Sequence, residues 1–154
     1  MDLSSFDLED ILLTAIKSEI ESNKLYLDMA KKTKNGLLQD KLRFLAEEEI
    51  KHKVYIEEIY MNHFPDKQIK LPEKTPVPLP EVTYTEETPM SNMLAQAMNA
   101  EQSASEFYKS CSELFEEGSK IHNTLLYFSD MEVGHYKILE AEKESMERFE
   151  DADV

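Results

Sequence analysis

The chain has 154 residues, 41% hydrophobic and 32% charged, with 32 acidic against 17 basic side chains and a net charge of −15. That is the make-up of one globular domain with a sizeable core, and its acid excess excludes nucleic acid and an anionic membrane surface as partners. The lone cysteine, Cys111, excludes an intrachain disulfide and a four-cysteine metal site. No uncharged run approaches the roughly eighteen residues of a membrane span. The opening Met1-Asp2-Leu3-Ser4 lacks the basic stretch of a secretory leader, so a cytoplasmic protein is expected.

Only three glycines are present and all six prolines lie between residues 65 and 89, which leaves the rest free to form helices. The first helix is predicted over 6–33. There Leu8, Ile11, Leu12, Ala15, Ile16, Glu19, Ile20, Tyr26, Leu27 and Ala30 recur at three and four. Ser5 or Asp7 is its cap, Glu9 and Asp10 suit its positive end, and Asn35-Gly36 is its expected left-handed stop. The second helix is predicted over 37–64, with Leu38, Leu42, Leu45, Ala46, Ile50, Val54, Ile56, Ile59 and Tyr60 as its apolar positions. A short turn makes these two helices antiparallel neighbours.

Prolines deny a regular helix to residues 65–90. The length suits an ordered crossover running along a bundle of about 40 Å, at about 1.5 Å per helical residue. A third helix is predicted over 91–117, with Met93, Leu94, Ala97, Met98, Glu101, Ala104, Phe107, Tyr108, Cys111, Leu114 and Phe115. The fourth follows Gly118 through Ile121, Leu125, Phe128, Met131, Glu132, His135, Ile138 and Leu139, with Met146 and Phe149 as possible extensions and 150–154 expected to fray. The expected fold is therefore an all-α four-helix bundle, two antiparallel hairpins joined by a long crossover, in a single domain spanning 1–154.

Two Glu-x-x-His motifs organise this chain. Glu49 and His52 share one helix face, as do Glu132 and His135. Glu19 precedes Glu49 by 30 residues, and Glu101 precedes Glu132 by 31. An internal repeat underlies the match: Ala15, Glu19 and Tyr26 pair with Ala97, Glu101 and Tyr108 at 82 residues. Phe44, Leu45, Glu49 and His52 pair with Tyr127, Phe128, Glu132 and His135 at 83. Four carboxylates and two imidazoles are the ligand set of a di-iron or di-manganese bundle, with metals roughly 3.5–4 Å apart. In this arrangement Glu49 and Glu132 bridge both ions. Glu19 and His52 complete one, and Glu101 and His135 the other. Oxygen and nitrogen ligands suit iron or manganese rather than a sulfur-rich zinc site.

Either motif alone is as readily a solvated surface pair, since acids are abundant; the matched repeat is what separates the two readings. In Glu47-Glu48-Glu49 only the last has histidine three residues on, so Glu47 and Glu48 are expected to face solvent. His63 and His122 are expected on the surface near helix ends. Gly134 either admits a close helix or leaves space beside the metals. Tyr26 and Tyr108, seven residues beyond their glutamates, either hydrogen-bond a ligand or serve electron transfer, or else pack in the core with a satisfied hydroxyl.

With these residues in view, the chain resembles the ferritin-like superfamily and, within it, the rubrerythrin-like di-iron proteins. The resemblance spans the whole chain and rests on Glu19, Glu49 with His52, Glu101, Glu132 with His135, and Tyr26. It implies a centre of two iron ions, manganese being the alternative, that reduces hydrogen peroxide or dioxygen. It also implies a homo-oligomer, commonly a dimer. Two departures shape the expectation. Rubrerythrins in the strict sense hold an extra iron in a rubredoxin module of four cysteines, so here electrons are expected from a separate donor such as a rubredoxin-like protein. Rubrerythrins also tend to have a further carboxylate three residues past the third-helix ligand, where this chain has Ala104. The remaining set of four glutamates and two histidines is similar to the ferroxidase centre of bacterioferritins. Iron oxidation and handling is therefore the alternative function. Dimanganese catalase-like or hydroxylase chemistry and a non-catalytic helical scaffold stand behind it.

Overall fold

The computed structural model describes the backbone of residues 1–152 and side chains through residue 148. Four helices form it: α1 (Leu8–Lys32), α2 (Gly36–His63), α3 (Met90–Ser112) and α4 (Lys120–Ala152). Asp7 caps α1, its carboxylate accepting the Asp10 N–H at 2.8 Å, with Glu9 and Asp10 in the first turn. Residues 153 and 154 of the tail expected to fray, and the Phe149 side chain, lie outside the described residues.

Several boundaries differ from expectation. Gly36 does not close α1 in a left-handed conformation; it opens α2, and Asn35 caps that helix by accepting the Leu37 and Leu38 N–H groups at 3.0 and 3.2 Å. Short polar Asn is the stronger signal there, because a helix start needs acceptors as much as a helix end needs freedom. α3 stops at Ser112, five residues before the predicted end. Tight turns follow (Leu114 N–H to Cys111 C=O, Phe115 N–H to Ser112 C=O), and Gly118 takes φ 80°. His122 also reaches back from α4, its Nδ1 lying 2.8 Å from the Ser112 carbonyl, so this half-buried histidine stitches the hairpin together instead of facing solvent. The predicted apolar positions Leu27, Ile50, Val54 and Leu114 are exposed.

α1 packs against α2 and α3 against α4 as the two hairpins. Residues 64–89 return along the seam between α1 and α3. Val77 is buried there and its N–H donates to Thr14 Oγ1 at 3.2 Å. Lys17 donates to the Pro72 carbonyl at 2.7 Å, Lys32 to that of Glu86 at 2.9 Å, and the Tyr84 hydroxyl to Asp28 at 2.6 Å. The Gln96 side chain on α3 exchanges two 2.8 Å hydrogen bonds with the Thr83 backbone. A proline-rich segment satisfies few of its own backbone groups, and α1 and α3 supply further partners.

The core divides in two. Ile11, Ile16, Ile56, Tyr60, Phe107, Leu125 and Phe128 belong to one cluster. Leu25, Met29, Leu42, Leu45, Met93, Leu94 and Leu139 belong to the other. On every helix the candidate ligands fall between residues of the first cluster and residues of the second. The centre thus sits mid-bundle with apolar packing above and below.

Candidate metal centre

Each hairpin contributes one glutamate from its first helix and a Glu-x-x-His pair from its second, and antiparallel packing turns all six inward. Glu19, Glu49, His52, Glu101 and Glu132 are at most 2% exposed and His135 is 4% exposed. Burying four carboxylates this completely is severely unfavourable without compensating cations.

The six fall into two groups of four: Glu19, Glu49, His52 and Glu132, and Glu49, Glu101, Glu132 and His135. Within each, one ligand atom per residue lies within 4.8 Å of the others. Glu49 and Glu132 belong to both groups, the place a bridging carboxylate must occupy. His52 Nδ1 lies 2.8 Å from Glu132 and 3.7 Å from Glu19. His135 Nδ1 lies 3.1 Å from Glu49 and 3.6 Å from Glu101. The imidazoles stand nearly parallel, 15° apart, with ring centroids separated by 6.1 Å.

Electrostatics tell the same story. Burial, reinforced by the neighbouring glutamates, pushes the Glu49 and Glu132 carboxyls well above the usual carboxylate range. Burial acts likewise on Glu101, but the Glu132 and His135 groups close by and the Tyr26 hydroxyl bond outweigh it and hold that carboxyl low. The fit to cations can be tested atom by atom. Among the described residues, eight buried side-chain nitrogen and oxygen atoms have no hydrogen-bond partner, and all eight belong to these six residues. Native interiors rarely strand polar atoms; here they are confined to the atoms that would coordinate. These buried Glu and His groups form a binuclear metal site.

The tyrosines do more than their spacing indicated. The Tyr26 hydroxyl donates to Glu101 Oε1 and the Tyr108 hydroxyl to Glu19 Oε1, each crossing from one hairpin to the terminal glutamate of the other. Burial first, then the adjacent glutamates, pushes both phenols well up, so both keep their protons. Seven-residue spacing paired each tyrosine with its own helix; only the antiparallel α1/α3 register could reveal the exchange.

Other residues were missed. Phe128 stacks on the His52 ring at 4.1 Å and 28°. Asn23, one turn past Glu19, donates to the Ala46 carbonyl at 2.8 Å; Ser105, at the matching place past Glu101, is bonded to Ser129, which donates to its carbonyl at 2.8 Å. The repeat therefore extends to the polar braces of each hairpin. Glu48 corrects the expectation that it faces solvent: it is only 7% exposed, with its carboxylate 2.8 Å from the Lys51 ammonium. A long cation on the next turn supplies its counter-charge, so helical angle alone misjudged it. Gly134 admits no close helix, because it is exposed and nothing lies within 4 Å of a built Cβ. Cys111 is buried in the core, where burial pushes its thiol up. Among the described residues, no helix is long and apolar enough to cross a membrane.

Comparison with known proteins agrees with this geometry. The rubrerythrin family pattern matches residues 10–148. A solved structure of a hypothetical protein from Pyrococcus furiosus is 34% identical, with a TM-score of 0.81, covering 96% of this chain and 95% of its own. No curated protein matches. Across nine-tenths of its length, ligand helices included, the chain belongs to the rubrerythrin family.

Proposed function

We propose that the protein is a di-iron oxidoreductase that reduces hydrogen peroxide or dioxygen with electrons from a separate donor. The observation that carries this reading is the set of eight stranded buried ligand atoms, all on four glutamates and two histidines. Such a set favours a redox-active iron or manganese pair over a thiolate-held metal. Two ferrous ions held by these residues would supply the two electrons that, with two protons, convert hydrogen peroxide to two waters.

The protein's own contribution is binding, orientation and dryness. Glu49 and Glu132, common to both groups, hold the two positions together. Tyr26 and Tyr108 engage Oε1 of Glu101 and Glu19 while Oε2 of each has no hydrogen-bond partner, which aims one oxygen per terminal glutamate at the site. As buried, protonated phenols they are also the proton-bearing groups nearest the ligands, and they are the catalytic residues of this proposal. The apolar clusters on either side exclude bulk water. A single cysteine within these 154 residues cannot build a rubredoxin-type iron site, so a rubredoxin-like partner is the proposed donor.

One observation favours iron oxidation as the second reading: Ala104 takes the place of a further carboxylate, and no other acid joins the six among the described residues. The two readings part on anaerobic reconstitution with Fe(II), followed by peroxide and oxygen in separate additions. Sustained peroxide consumption with an external reductant and constant iron content supports the peroxidase, whereas net iron accumulation supports the ferroxidase. Parallel loading with Mn(II) tests the dimanganese alternative. A folded chain that takes up no metal would sink both readings. Homodimers, expected from the family, are part of the proposal and are read by light scattering.

A further inference from the structure

We propose that Glu48 is the portal carboxylate through which divalent cations reach the buried centre, by way of the seam between α2 and α4. This rests on the reading of the six inward residues as a cation site.

The centre is enclosed, so its cations must pass between helices. The hairpin interfaces are closely packed, and the α1/α3 seam is sealed twice over, by the reciprocal tyrosine bonds within and the crossover outside. The remaining seam is the least closely apposed pair of neighbouring helices. Its register is set by the Lys41–Glu142 ion pair at one level and by Tyr55 against Phe128 at another, 5.4 Å between ring centroids. That register puts Glu48 opposite His135. Toward the Tyr55 end the seam is plugged, since Phe128 stacks on His52 and Tyr55 meets Phe128 edge-on. Toward Glu48, among the described residues, no aromatic pair closes it, and the buried His135 side chain is 5% exposed against 1% for His52.

Glu48 lies one turn before His52, on the same side of α2. Its carboxylate is buried, yet its counter-ion, Lys51, is 71% exposed. An exposed ammonium is weakly held and readily exchanged for an incoming cation. Gly134 adjoins His135 on α4, is exposed, and presents no side chain there. The register thus faces the acidic Glu48 of α2 with the stretch of α4 at His135 and Gly134, where one side chain is missing.

Stopped-flow loading of the metal-free full chain with Co(II) tests this, followed by the visible absorption of the bound ion and checked by metal analysis. Glu48→Gln is expected to slow loading about tenfold or more, the scale of electrostatic steering into a charged cleft, while still reaching the wild-type cobalt content. Gly134→Leu, at an exposed position with room for it, folds independently of that result and is expected to slow both loading and release to a chelator. Wild-type loading rates in either variant overturn the proposal. So does a reduced final cobalt content in Glu48→Gln, which would make Glu48 a resident ligand. Wild-type protein that binds no cobalt would instead overturn the cation-site reading, and the portal with it.

Discussion

The two seams between the hairpins are built from opposite principles. Between α1 and α3, Tyr26 and Tyr108 exchange hydrogen bonds across the bundle axis, and the crossover lays Val77 and a series of carbonyls over the outside. Between α2 and α4, among the described residues, no segment lies over the outside, the buried His135 is slightly more exposed than His52, and the buried Glu48 carboxylate is paired with an exposed lysine. A pseudo-symmetric ligand set therefore sits in an asymmetric container. The chain can return from α2 to α3 on one side only, and the side it covers is the one where tyrosines can be kept dry and protonated.

Removing the metal tests the comparison most severely, because it leaves the carboxylates of both seams facing one another. Stripping the ions should destabilise the fold by about 3–5 kcal/mol, as expected when buried charges lose their partner, and calorimetry of loaded and stripped protein reads it. The pH dependence should reverse as well. In the stripped protein Glu49 and Glu132 are held above their ordinary range, so their contribution is intact below the unfolded pKa and is lost as pH rises through the folded values. Glu101, held low, opposes them, one carboxyl against two. Stripped protein should lose stability as pH rises out of the carboxylate range, whereas loaded protein should lose it as pH falls. Equal slopes in the two forms would contradict the pairing of these carboxyls with cations.

The sealed seam should be next in sensitivity. Tyr26→Phe and Tyr108→Phe each remove a hydrogen bond to a buried carboxylate, at about 1.5–3 kcal/mol in urea unfolding. Peroxide turnover should fall with metal content unchanged. Loss of the metal itself would mean that the phenols build the site rather than serve its chemistry. Thr14→Val removes the acceptor of the buried Val77 N–H, and about 1–3 kcal/mol should be lost as the strap loosens. The open seam should respond in the other direction and least. Gly134→Ala meets no atom and replaces a poor helix former, so it should add up to about 1 kcal/mol. A destabilised variant would mean that the opening is packed more tightly than it stands here.

Much of this was legible from residues alone. Periodicity and proline placement predicted four helices and the crossover. The repeat at 82 and 83 residues singled out Glu19, Glu49, His52, Glu101, Glu132 and His135, because a helical period converts spacing into a shared face. Boundaries governed by distant groups were not legible. α3 ends where His122 captures the Ser112 carbonyl, and nothing within α3 encodes a histidine ten residues away. Glu48 was misread because burial depends on what the facing helix covers as well as on angle.

The sequence by itself determined which residues can form a two-metal centre, since ligand chemistry and helical spacing are local properties. The tertiary structure decided how that centre is enclosed. It chose the terminal glutamate that each tyrosine serves, the seam the crossover closes, and the seam left to Glu48 and Gly134. These depend on the register between helices far apart in the chain. That register is set by packing over the whole bundle, which no single helix records.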